Sequence, residues 1–310
     1  MNMLSKIVFS LCVALTSGFI TSPEVSADVI KIVATTSTFA SLAKEVTGDL
    51  AEVDYVASPK RNVHTYSPTP KDVFKVKIAD VFIHGGADLE LWKSPLLEAA
   101  GNPAFLGEKN TVIHLSEGIQ MLEAPQELTR SEGDIHRYGN PHYWLSPANV
   151  HIIVNHLAMR LGQLYPQHVD VFKRNASQFQ SRLKKKEVIW QSELSPYVQQ
   201  AIVTYHRTWS YFSNYFNFIV VAEIEPKPGI APSAKHLIYL YEIMKSKDVK
   251  VIVKAPFYER RTPKKVADVT GATVVTLPLD VGGVKEATDF IALIDYNVSQ
   301  LKRAFSKGVV

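Results

Sequence analysis

Between Gln167 and Leu194 the chain carries Val169, Phe172, Ala176, Phe179, Leu183, Trp190 and Leu194 at steps of 3, 4, 3, 4, 7 and 4. That spacing gathers the apolar side chains along one face of a single α-helix, about 40 Å long at about 1.5 Å per residue. A rod of that length joins whatever flanks it rigidly, without a flexible linker. The triplet Lys184-Lys185-Lys186 inside it reads as the solvated face of the same helix.

What flanks it is β/α alternation on both sides. "VIKIVATTS" (29–37) is a β-branched run ending in a polar turn, and Phe39, Leu42 and Val46 then follow at helical steps. The pattern returns in "ADVFIHGG" before "LELWKSPLLEAAG", and beyond the rod in "AIVTYH", "NFIVVAEI", "VKVIVKA" and "ATVVTLPL". Strands alternating with helices call for parallel sheets covered on both faces. The expected fold is therefore α/β: one lobe over residues 28–160, a connecting long helix over 161–196 and a second lobe over 197–310. The sequence shows no internal repeat and no low-complexity tract.

The first 27 residues read as a leader to be removed. Lys6 precedes an apolar run from Ile7 to Ile20, and Val25-Ser26-Ala27 has the small-x-small form that precedes signal-peptidase cleavage. The run is broken by Ser10, Thr16, Ser17 and Gly18 and falls short of the roughly 20 residues of a membrane span. Export to the periplasm with cleavage after Ala27 is expected. The one cysteine, Cys12, lies in this leader behind Leu11, where a lipid-attachment box needs a small residue. The mature chain would then rely on its core without disulfides, and any metal site must use nitrogen and oxygen. With 21% charged residues and a net charge of +4 spread along the chain, nucleic acid is not an expected partner.

Ten histidines are present, and context separates them. His64 in "NVHTYSPTP" and His142 in "NPHYWLSP" lie in proline-bounded loops with aromatic neighbours, a setting that fixes backbone and ring. His206 follows the strand "AIVTY", and Asp280 stands between the apolar run "TLPL" and two glycines; both are at the carboxyl ends of strands, where open α/β sheets bind ligands. Separations of 64 to 78 residues exclude a local finger-type clip and suit a cleft between lobes. Taken singly, His64 and His142 also read as turn-stabilising residues, Asp280 as a helix cap and His206 as a strand-end surface residue. His84 reads as a neighbour of the cleft, His114, His151, His156, His168 and His236 as surface residues of helices or strands, and His136 as solvent-facing, with a weak accessory metal contact as the alternative.

These segments resemble the solute-binding proteins of ABC importers for zinc and manganese, the ZnuA/TroA type. The likeness runs from "IKIVATTSTFASLAKEVTGD" through "HTYSPTP", "NPHYWLSPANV", "VTYHRTWSYFSNYF" and "GIAPSAKHL" to "TGATVVTLPLD". It implies two (β/α) lobes, a connecting helix and one metal ion in the cleft, held by His64, His142, His206 and Asp280. The chain departs from the family pattern at Asn62-Val63, Ser67 and Ser146, beside the ligand positions and not at them. The long histidine-rich loop of many zinc members is absent, and Glu223 or Glu225 is the expected support for His206.

Three imidazoles and a carboxylate suit tetrahedral Zn²⁺, whereas Mn²⁺ prefers more oxygen; Zn²⁺ is the expected cargo, with Mn²⁺ or Fe²⁺ the alternative. Expected partners are the permease and ATPase subunits of an ABC importer, with the binding protein itself a monomer. Because a coordinating imidazole must be neutral, affinity is expected to fall below about pH 6.5. An exported zinc hydrolase would keep one coordination position open for water and need a nearby base, and H-E-x-x-H is lacking, so no enzyme is expected. A surface adhesin is the remaining rival.

Overall fold

The computed structural model describes residues 29–105, 110–125, 136–227 and 229–307. The predicted leader and its cleavage site lie outside them.

Two four-stranded sheets, parallel throughout, form the frame. In the first, β1 (Ile30–Thr36) is flanked by β2 (Ala51–Ala57) and β3 (Val81–His84), and β4 (Val112–His114) closes the edge, giving the order β2-β1-β3-β4. In the second, β5 (Ala201–Thr204), β6 (Ile219–Glu223), β7 (Val251–Lys254) and β8 (Thr273–Thr276) repeat that order as β6-β5-β7-β8. The sequence shows no repeat, yet the two lobes are wound alike. Central strands β3 and β7 are buried along their whole length, as parallel strands covered on both faces must be.

The helices over the first sheet are α1 (Ser37–Thr47), α2 (Pro70–Lys77), α3 (Lys93–Ala100) and α4 (Pro147–Leu164). α1 starts on Thr36, whose side chain accepts from the Phe39 amide, and it buries Phe39, Leu42 and Val46. α4 opens on Pro147, at the first turn where the missing amide is harmless. The rod, α5, spans Val169–Leu194, 26 residues; a short 3₁₀ turn, Pro166–His168, occupies the place of its expected first residues. Phe172, Ala176, Phe179, Leu183, Trp190 and Leu194 are all buried.

The step of seven between Leu183 and Trp190 has a physical reason. Glu187 fills that place on the buried face, 3.1 Å from His151 Nε2 and 3.7 Å from Lys184 Nζ. Lys184 and Lys185 are solvated as expected. Lys186 departs from that reading: it is half-buried and reaches Asp295 at 2.7 Å.

The second sheet carries α6 (Ser210–Phe216), α7 (Ala234–Ser246), α8 (Arg261–Thr270) and α9 (Phe290–Lys307). One continuous apolar core joins Ile32, Phe39 and Trp144 of the first lobe, through Phe179 and Trp190 of α5, to Phe212, Phe290 and Leu301 of the second. A smaller cluster, with Val203, Ile252, Leu240 and Val266, lies under α7 and α8. No helix among the described residues is long and apolar enough to cross a membrane.

Candidate metal centre

Each candidate side chain sits just past a strand's carboxyl end or at a helix entry. His64 is in the loop after β2, His142 immediately precedes the 3₁₀ turn Tyr143–Leu145 that leads into α4, His206 lies two residues past β5 and Asp280 follows β8. Two of them are set by the same local device. Asn62 Oδ1 accepts from the His64 amide at 3.0 Å, and Asn140 Oδ1 accepts from the His142 amide at 3.0 Å. These asparagine turns fix the backbone two residues on.

His64, His142 and His206 converge. One ring nitrogen from each lies within 4.8 Å of the other two, and this is the one group of three or more such side chains so close among the described residues. Ring centroids are 5.0 Å apart for His64 and His142, and 6.1 Å from His206 to either.

The tautomers follow from the partners. His64 Nδ1 lies 3.2 Å from the Leu89 carbonyl, His142 Nδ1 3.0 Å from Asn140 Oδ1, and His206 Nδ1 2.9 Å from Glu225 Oε2. The amide of Asn140 is itself oriented, because its Nδ2 donates to the Arg207 carbonyl at 2.8 Å and to Glu123 at 3.0 Å. Carbonyl and carboxylate oxygens only accept, so each Nδ1 carries the ring proton and each Nε2 presents a lone pair. The Nε2 atoms of His64 and His142 are 3.0 Å apart. Two facing lone pairs at that distance repel unless a proton or a cation lies between them.

Burial keeps the rings of His64 and His142 neutral. His64 is lowered to about 3, first by loss of hydration and then by repulsion from His136 and His206, with the Leu89 carbonyl opposing. His142, 2% exposed, is held well below the usual imidazole range by burial and then by His64, His206 and His136. Neutral imidazoles clustered away from water are prepared for a metal and poorly suited to carrying protons.

Asp280 is buried but stands outside the imidazole group. Its Oδ1 accepts from Thr38 Oγ1 at 2.7 Å, and burial raises its pKa to about 6 against the hydrogen bonds from Thr38 and Thr36. Its loop is tied to the first lobe: Ser37 Oγ donates to the Val281 carbonyl at 2.7 Å, and Trp144 Nε1 donates to the Leu279 carbonyl at 3.0 Å.

Several neighbours differ from the sequence reading. His136 was expected in solvent; it is half-buried, with its ring 4.8 Å from His64 and its Nδ1 3.1 Å from the Asp88 carbonyl. His156 was expected on a helix surface; it is 6% exposed, because α4 turns that face into the first lobe. His151 and His236 are half-buried, His236 Nε2 lying 2.9 Å from the Glu223 carbonyl. Of the two glutamates, Glu225 supports His206, while Glu223 lies 3.8 Å from Arg207. His84 ends β3 beside Glu90, at 4.0 Å. Asn140 was not singled out as a supporting residue, although "NVH" and "NPH" share one spacing.

The family described as zinc-uptake complex component A, periplasmic (ZnuA) matches residues 32–304. The iron-binding protein YfeA of Yersinia pestis is 25% identical over 295 residues, covering 92% of this chain and 89% of YfeA. The zinc-binding lipoprotein AdcA of Streptococcus pneumoniae is 26% identical over 319 residues, covering 98% of this chain but 61% of its own length. The solved structure of the solute-binding protein FpvC of Pseudomonas aeruginosa in complex with Mn²⁺ superposes with a TM-score of 0.77 at 24% identity, over 90% of this chain and 99% of that one. That last likeness is one of fold.

Proposed function

The chain belongs to the family of periplasmic zinc-uptake components, and on that premise we propose that it captures a divalent transition metal, Zn²⁺, and hands it to the permease of an ABC importer driven by a cytoplasmic ATPase. It does so as an exported monomer cleaved after Ala27, and it is a carrier with no reaction of its own. His64 and His142, from the lobe of residues 28–160, hold the ion. His206, from the lobe of residues 197–310, completes the nitrogen set, and Asp280 of the same lobe, outside that set in the structure, turns in to supply the oxygen, with residues 161–196 as the connector.

The observation that carries this reading is the pairing of every Nδ1 in the triad with an oxygen acceptor, which leaves Nε2 as the ligand atom of each ring in a group whose ring nitrogens lie within 4.8 Å of one another. Three nitrogens plus one carboxylate oxygen fill a zinc tetrahedron. Support for Mn²⁺ or Fe²⁺ as cargo comes from the relatives named for iron and manganese, and bidentate attachment of Asp280 would supply the extra oxygen those ions favour.

Native mass spectrometry of protein purified from the periplasm tests the proposal. One zinc ion per chain at the high-affinity site is expected, and His142→Ala is expected to lose it while retaining the wild-type circular dichroism. A correctly folded His142→Ala protein that keeps its metal removes His142 from the site.

A further inference from the structure

A second gathering of metal-binding side chains lies on the first lobe, apart from the triad. His114 ends β4, Glu117 sits in the turn behind it, and His156 rises from the middle of α4. Glu117 Oε2 is 3.7 Å from His114 Nε2 and 3.8 Å from His156 Nε2. The two rings have centroids 6.3 Å apart, close to the 6.1 Å that separates His206 from the other rings of the triad.

The nearby His114 carbonyl favours positive charge on the His156 ring, while its Nε2 is buried and has no hydrogen-bond partner. A buried, unsatisfied ring nitrogen is costly and asks for a ligand. Next to it is a carboxylate whose attraction for positive charge there outweighs the repulsion from Arg160, whose Nη2 donates to the Asn110 carbonyl at 2.9 Å while its Nε is buried without a partner.

We propose that His114, Glu117 and His156 form a second binding site for a divalent first-row transition ion, on the outer face of the first lobe. Zinc bonds of about 2.0–2.2 Å place tetrahedral ligands about 3.3–3.6 Å apart, so Glu117 closes by a few tenths of an ångström, whereas the two imidazole nitrogens, outside the 4.8 Å spread of the triad, close by more than an ångström. His114, with its side chain 47% exposed, is free to turn and bring its nitrogen in. Water completes the shell from the solvent side, where the His114 and Glu117 side chains are about half exposed. Because two of its three ligands face solvent, this site binds more weakly than the triad.

Calorimetric titration of the full chain with Zn²⁺ alone, paired with native mass spectrometry, tests the site. The wild-type protein is expected to take up a second, weaker ion. His114→Ala and Glu117→Gln, both at exposed positions, are each expected to weaken that second event by about tenfold or more and leave the tight event unchanged. His142→Ala removes the tight event and keeps the weak one, so the two sites succeed or fail separately. A single ion per wild-type chain at excess zinc, or a weak event that persists in the His114→Ala/Glu117→Gln double variant, overturns the proposal.

Discussion

A ring nitrogen becomes a ligand only when its partner nitrogen is told where to keep its proton, and here an oxygen does this for each ring of the triad. Removing such an oxygen typically weakens a metal site 10–100-fold. Asn140→Ala and Glu225→Ala are therefore expected to lose zinc affinity by about that factor in a competition assay, with Glu225→Gln, which keeps an acceptor, losing less. The acid limit follows from the same burial. With His64 at about 3 and His142 well below its usual range, these two rings stay neutral below the pH 6.5 expected of free imidazole. Asp280, raised to about 6, is protonated first, and a protonated carboxyl does not ligate. Zinc affinity should hold above pH 6.5 and fall about tenfold per unit below pH 6, and Asp280→Asn should flatten that fall; an unchanged slope in the variant takes Asp280 out of the coordination sphere. At this scale the sequence was partly legible. The proline-bounded loops picked out His64 and His142, and the repeated Asn-x-His spacing was there to be read. The choice of Glu225 over Glu223 as the partner of His206 was not, because it depends on the register of two parallel strands, in which Thr204 lies opposite Glu223.

Among the elements, α5 has the largest mechanical part. It packs against α1 and α4 on one side and α9 on the other, and Trp190 ties it to α9 through an indole bond to Asp295 at 2.7 Å. Trp190 is fully buried, so Trp190→Ala is expected to destabilise the protein by about 3–5 kcal/mol, read as a lowered urea midpoint. Lys186 reaches the same Asp295 from a partly exposed position, and Lys186→Ala should cost less than about 1 kcal/mol. The rod was plain in the sequence because its 3–4 spacing is long and regular. Strands β2 and β4 were not: β2 alternates apolar with acidic residues at a sheet edge, and β4 has three residues, too few to carry a period.

For the whole molecule, the continuous core matters more than the division into lobes. A hydrophobic cluster that runs from Ile32 to Phe305 without a break resists hinge opening, since parting the lobes would expose buried aromatic surface. Small-angle scattering is expected to give nearly the same radius of gyration with and without zinc, and zinc at a hundred times its dissociation constant should add about 2.7 kcal/mol to stability; a change in radius of several ångströms would refute the rigid arrangement. If the chain serves a permease as proposed, that unbroken core would leave the permease little difference in silhouette between a full carrier and an empty one. Recognition of cargo would then be read from the posture of the short loops bearing His206, Glu225 and their neighbours.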